Sequence, residues 1–97
     1  MIKIAVDGMG GDYAPQLVVE GAVRAAHDFE DLEIVIAGRE DAIKRELYRH
    51  KVPGGKISIR HASEVVEMSD SPVQAIRKKK DSSLAVCIQL LKQKEVD

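Results

Sequence analysis

Cysteine occurs once in this chain, at Cys87, which excludes an internal disulfide and a cysteine-rich zinc site. Tryptophan is absent, and Tyr13, Phe29 and Tyr48 are the only aromatics, so there is no platform for stacking nucleic-acid bases. Neither sign of charge dominates: 15 Lys and Arg against 16 Asp and Glu leave −1, with a pI near 6.3. That balance argues against a general nucleic-acid or membrane-charge binder. No apolar run approaches the ~18 residues that a membrane span needs, and the N-terminus lacks a signal-peptide core. A cytoplasmic setting is the expectation. No P-loop, nucleophile triad or metal cluster is visible.

What is present is an ordinary globular mixture, 44% apolar and 32% charged over 97 residues. A chain this short buries only about 60–65% of the surface its unfolded form exposes, so its stability is marginal without a partner. Ile2-Lys3-Ile4-Ala5-Val6 reads as a strand that stops at Asp7 and a glycine cluster. Leu17, Val18, Ala22, Ala25, Ala26 and Phe29 recur at near-helical spacing and predict a helix from about Pro15 to Asp28. Leu32 to Ala37 is a nearly continuous apolar run, as in a strand covered on both faces. A weaker helix is expected from Asp41 to about Lys51, and a half-covered strand from Lys56 to Arg60. Ser71-Pro72-Val73-Gln74 has the capping-box form, with a helix to about Lys79. Asp81-Ser82-Ser83 caps another, whose expected apolar face is Leu84, Cys87, Ile88 and Leu91.

The order β-α-β-α-β-α-α predicts an α/β fold, a Rossmann-like parallel sheet between helical layers with right-handed crossovers. Three strands are few for such a sheet, and a fourth should begin where Glu95-Val96-Asp97 ends the chain. The expectation is therefore that residues 1–97 are the N-terminal part of one larger α/β enzyme domain.

Ligands of open parallel sheets bind outside the carboxyl ends of the strands, which here means the loops after Val6, Ala37 and Arg60. The first is the most unusual. Gly8, Gly10 and Gly11 allow close backbone approach, and the next helix aims its N-terminal amides the same way, an arrangement suited to phosphate. It is not the dinucleotide fingerprint, because Tyr13 falls where a third glycine belongs. The competing reading is a tight turn and nothing more. Asp7 and Asp12 could hold a ligand proton; alternatively Asp7 accepts loop amides and Asp12 helps cap the helix. Arg77-Lys78-Lys79-Lys80 suits a helix C-terminus, but Lys80 also sits beside the helix start at Asp81-Ser82-Ser83, a second place for an anion. His61 lies on the ligand side of the sheet, where a lone loop histidine is usually only solvated. His27 and His50 read as surface residues, and Cys87 as a small core residue.

The stretch Ile4-Ala5-Val6-Asp7-Gly8-Met9-Gly10-Gly11-Asp12-Tyr13-Ala14-Pro15 resembles the opening of the PlsX family, the acyl-acyl carrier protein:phosphate acyltransferases of bacterial phospholipid synthesis. Glu64 to Met68 and Ser71 to Ser83 are similar to the same family. The family usually has Ala in place of Gly8, which should loosen the loop here. It often has His in place of Tyr13, so no catalytic histidine can be placed there. The resemblance implies a fold similar to phosphate acetyltransferases and isopropylmalate-type dehydrogenases. It also implies an enzyme that joins inorganic phosphate to the acyl group of acyl carrier protein, with no cofactor and no metal. A membrane-bound glycerol-phosphate acyltransferase, the PlsY partner, then uses the acyl phosphate. Such an enzyme is expected to be a cytoplasmic, peripherally membrane-associated homodimer, and 97 residues of it alone to be inactive. Carried onto this chain, Gly10, Gly11, Lys80, Ser82 and Ser83 would bind phosphate or acyl phosphate. Asp7 and Asp12 are the candidate catalytic residues, shaping the pocket or holding the phosphate proton, and Arg77, Lys78 and Lys79 would dock the acidic carrier. Two alternatives stay open: an isopropylmalate-type dehydrogenase fragment, and a non-enzymatic docking module for an acidic carrier protein.

Overall fold

The computed structural model describes residues 1–65 and 71–97. Val66, Glu67 and Met68, part of the second matching segment, lie outside the described residues. The elements are β1 (Ile2–Asp7), α1 (Gln16–Asp28), β2 (Leu32–Gly38), α2 (Glu40–Leu47), β3 (Ile57–His61), α3 (Pro72–Lys78) and α4 (Ser83–Lys92). The strands form one parallel sheet in the order β1-β2-β3, with Ile4 opposite Ile34 and Ile36 opposite Ile59. This is the α/β arrangement that the strand–helix alternation predicts.

The central strand explains the layering. Alternate side chains of β2 point to opposite faces. Ile34 and Ile36 join Val19, Ala22, Val23 and Ala26 of α1 and Ile43 of α2 in one core. Val35 and Ala37 join Ala62, Val86, Leu90 and Val96 in the other. So α1 and α2 cover one face and α4 covers the opposite one.

The boundaries hold closely, but two buried faces are not those expected. In α1 the stripe is Val19, Ala22, Val23 and Ala26, whereas Leu17 and Phe29 are more than half exposed. The real stripe keeps strict i, i+3, i+4, i+7 spacing with β-branched and small residues that fit closely on the sheet. The C-terminal carbonyls of α1 are served by Lys56, whose Nζ donates to the carbonyls of Ala26 and Phe29, each at 2.6 Å. In α4 the buried residues are Ser83, Ala85, Val86 and Leu90, with Cys87 only half-buried and Leu91 exposed. α2 ends at Leu47, short of Lys51, and tight turns follow through Arg49 and His50. Beyond Leu47 there is no apolar residue to bury until Val52, and Tyr48 is 86% exposed. α3 opens at Pro72, in keeping with the Ser71-Pro72 signal. No helix among the described residues is long and apolar enough to cross a membrane.

Candidate functional site

β1 delivers Asp7 to the carboxyl edge of the sheet, where the chain turns away at once. Gly8 is buried against β2, and its N–H donates to the carbonyl of Ala37 at 2.7 Å. A Cβ on Gly8 would meet Ile36 Cγ2 at 2.6 Å and Ile43 Cδ1 at 3.1 Å. Glycine therefore pins this loop to the central strand and does not loosen it, contrary to the expectation drawn from the family alanine. Asp7 Oδ1 accepts the N–H of Met9 at 2.9 Å, which is the local role open to it from the start. Its other oxygen stands against Gly10, where a Cβ would lie 3.3 Å from Oδ2. Gly11 has φ +93°, a conformation that side chains resist. The exposed Gly10 and Gly11 are left with N–H groups that bond to no other described residue. These two open amides can take an anion. The neighbouring Asp7 carboxylate favours one that still carries a proton.

The exposed Asp12 does not cap the helix: α1 has Pro15 at its N-cap position and no side-chain cap bond. The peptide between Ala14 and Pro15 is cis.

The turn before α4 is tied down by a dense set of bonds. Asp81 Oδ2 accepts both the N–H (2.9 Å) and the hydroxyl (2.5 Å) of Ser63. Glu64 N–H donates to the Asp81 carbonyl at 3.0 Å, and Ser83 N–H to the Glu64 carbonyl at 3.1 Å. The Ser63 hydroxyl and amide, with a smaller contribution from the charge of His61, hold the Asp81 carboxyl below its ordinary value. Ser82 is the N-cap of α4 and its Oγ accepts from Ala85 N–H at 3.1 Å. Ser82 and Ser83 are both buried, and Ser83 Oγ has no hydrogen-bond partner among the described residues. Of the cationic run, Arg77, Lys78 and Lys80 are exposed, while the half-buried Lys79 donates to the Val65 carbonyl at 3.0 Å. Lys79 thus serves the packing of this turn.

The glycine loop follows β1, whereas the α4 turn is bonded to Ser63 and Glu64 just after β3, which is separated from β1 by β2. Asp7 acts on Cys87, one turn into α4: burial first, and then the Asp7 charge, push this thiol up to about 11. At neutral pH it stays protonated and is no nucleophile. No bond among the described residues joins Lys80 directly to the glycine loop.

A second feature occupies the carboxyl ends of β2 and β3. Arg39, Glu40, Asp41, Lys44, His61 and Ser63 surround an open cavity of about 630 Å³. His61 Nδ1 accepts the N–H of Glu40 at 3.2 Å, so His61 serves the start of α2. Lys44 pairs with Glu40 at 3.0 Å, and that hydrogen bond raises its pKa. His61 stands out in the sequence by its place after β3, whereas Arg39, Lys44 and the Ser63–Asp81 clamp emerge only from the structure. Arg39 directly follows β2 and could have been found by its place; nothing local links residue 63 to residue 81. Among the described residues no group of three or more His, Cys, Asp or Glu side chains could hold a metal.

A family model described as "Fatty acid synthesis protein" matches residues 2–97. The chain is 53% identical over 96 residues to a phosphate acyltransferase of Clostridium tetani, covering 99% of this chain and 29% of that protein. It is 47% identical over 93 residues to a phosphate acyltransferase of Fusobacterium nucleatum (96% of this chain, 28% of the relative). It is 45% identical over 92 residues to one of Halothermothrix orenii (95% and 28%). The chain thus spans under a third of the length of these relatives.

Proposed function

The chain belongs to the fatty acid synthesis protein family, and from that premise we propose that the full-length protein transfers an acyl group from acyl carrier protein to inorganic phosphate. A phosphate oxygen attacks the thioester carbonyl, the carbon–sulfur bond breaks, and acyl phosphate and the carrier thiol leave. The observation that carries this reading is the pair of open amides at Gly10 and Gly11, in a chain 53% identical to a phosphate acyltransferase.

The roles follow from what phosphate needs. It is already nucleophilic at neutral pH, so positioning supplies most of the catalysis and no activated Ser or Cys is required. Gly10 and Gly11 supply amides. Lys80 supplies a charge near the α4 turn, and the orphaned Ser83 hydroxyl supplies a donor once the pocket is complete. Asp7 holds the loop in shape and takes the phosphate proton, with Asp12 outside it. Ser82 acts through the α4 cap. Arg77 and Lys78, exposed on α3, meet the acidic carrier, and Lys79 supports that surface from within. The product, an acyl chain on a phosphate, is amphiphilic and suits delivery from a peripherally bound cytoplasmic homodimer to a membrane glycerol-phosphate acyltransferase.

The test is an assay of the full-length protein with acyl-acyl carrier protein and phosphate. Acyl phosphate formed in step with released carrier thiol supports the proposal. Its absence, together with tight binding of a nicotinamide cofactor, would favour a dehydrogenase instead. Carrier binding without turnover would leave only a docking module.

A further inference from the structure

Arg39 stands where helix stability would not place it. It is the N-cap of α2 and makes no side-chain cap bond. Caps favour Ser, Thr, Asp or Asn, and a cation there opposes the helix dipole. The exposed Arg39 guanidinium pairs with no other described residue. Its charge does nothing for α2 and is free for a ligand.

The cavity of about 630 Å³ beside Arg39 has the size of a site for a whole small molecule. Its lining carries the cations Arg39 and Lys44 and the carboxylates Glu40 and Asp41, and all but Arg39 are engaged. Lys44 pairs with Glu40 at 3.0 Å, and Asp41 Oδ1 accepts the N–H of Ala42 at 2.9 Å. His61 Nδ1 accepts the N–H of Glu40, so the ring proton sits on Nε2 and can be donated elsewhere. What remains is one permanent cation and one neutral donor. That pair suits a monoanion. A dianion would face both carboxylates with a single unpaired charge to hold it.

The cavity also adjoins the glycine loop. A Cβ on Gly38 would meet Met9 Cγ at 2.8 Å and Met9 Sδ at 3.0 Å, so Met9 lies on the residue that precedes Arg39. β2 separates β1 from β3, so their ends stand two strand spacings apart, about 10 Å. An extended chain with the reach of a three-residue peptide spans about the same distance.

We propose that this cavity holds the phosphate end of the acyl donor's prosthetic arm. The proposal rests on the acyltransferase reading, in which the donor is a carrier protein. The arm of such a carrier is attached through a phosphodiester, a monoanion, and runs through two amides to the thiol that bears the acyl group. Arg39 grips the phosphodiester and His61 Nε2–H donates to it. The arm then passes over Met9 and brings the thioester to Gly10 and Gly11. Coenzyme A presents the same arm on a pyrophosphate with more negative charge, so the carrier is the better match.

Calorimetric binding of a bacterial acyl carrier protein to the full-length protein tests this without any turnover. Holo-carrier, which has the arm, should bind about tenfold more tightly than apo-carrier, which lacks it. Arg39→Gln should abolish most of that difference and change the apo-carrier affinity by less than about twofold. Because Arg39 is exposed and unpaired, the variant should keep the wild-type urea midpoint. Wild-type protein that binds both carriers equally, or neither, would overturn the proposal. So would an equal loss for both carriers in Arg39→Gln, which would make Arg39 part of the docking surface. Arg39-dependent binding of coenzyme A, with no difference between the carriers, would assign the cavity to a soluble thioester and overturn it as well. Acyl phosphate formation by a protein that does not distinguish the carriers would refute this site and leave the acyltransferase reading standing. An Arg39-dependent grip on holo-carrier without turnover would do the reverse.

Discussion

Replacing Gly8 with alanine should damage both stability and phosphate binding. The new methyl group would sit 2.6 Å from Ile36 Cγ2, 3.0 Å from the Ala37 carbonyl oxygen and 3.1 Å from Ile43 Cδ1. Ile36 and Ile43 are fully buried, and the Ala37 carbonyl is fixed by its bond to Gly8 N–H. Ile36 Cγ2 and the Ala37 carbonyl cannot retreat without moving the central strand. Overpacking of this kind costs about 1–3 kcal/mol. In urea unfolding of the full-length protein, Gly8→Ala should lower the midpoint at unchanged slope. Ile36→Ala should also destabilise, but its cavity gives the new methyl room. The double variant should therefore be less destabilised than the sum, with a coupling of about 1 kcal/mol or more. Because the methyl pushes the loop off β2, the KM for phosphate should rise while that for the acyl thioester stays near wild type. A neutral Gly8→Ala, or strict additivity with Ile36→Ala, would refute the close contact on which this reasoning stands.

Lys80→Ala in the full-length protein should reduce kcat/KM for phosphate about 10–100-fold, as for loss of a charge-assisted hydrogen bond; unchanged phosphate affinity and turnover would remove Lys80 from the site. Asp81 has a lowered carboxyl pKa through its Ser63 bonds, so its contribution to stability is present above the ordinary carboxylate value of 3.8 and lost as pH falls below it. Asp81→Asn should flatten the stability profile in that acid range, and an identical profile would contradict the clamp. Arg77→Ala with Lys78→Ala should weaken binding of an acidic carrier protein and make it less salt-dependent, measured by titration at two ionic strengths; equal affinity and equal slope would reject the patch.

The fold was legible in the sequence because its signals are local. The apolar run of β2, the glycine stop at Gly38 and the Ser82 cap each state their element without reference to distant residues. Which side of a helix is buried was harder to read. Leu17 and Phe29 count as apolar in any pattern, yet the sheet selects Val19, Ala22, Val23 and Ala26, and α4 turns Leu91 outward beside the free edge of β1. The glycine loop could be read as a candidate from composition alone. The reason for Gly8 could not, because the atoms it meets belong to residues 36, 37 and 43. The tie between Ser63 and Asp81 spans eighteen positions and has no sequence signature. Nor could the sequence separate Lys79, which is turned into the packing, from its exposed neighbours Lys78 and Lys80.

The central claim is that a small oxyanion binds at the carboxyl edge of the sheet, held by the glycine loop after β1 and by Lys80 from the turn before α4. A crystal structure of the full-length protein with bound phosphate measures this directly. The account predicts phosphate oxygens within hydrogen-bond distance of the Gly10 and Gly11 amides, with the Lys80 ammonium alongside. Phosphate bound instead in the cavity between Arg39 and His61, with Gly10, Gly11 and Lys80 all out of reach, would contradict it.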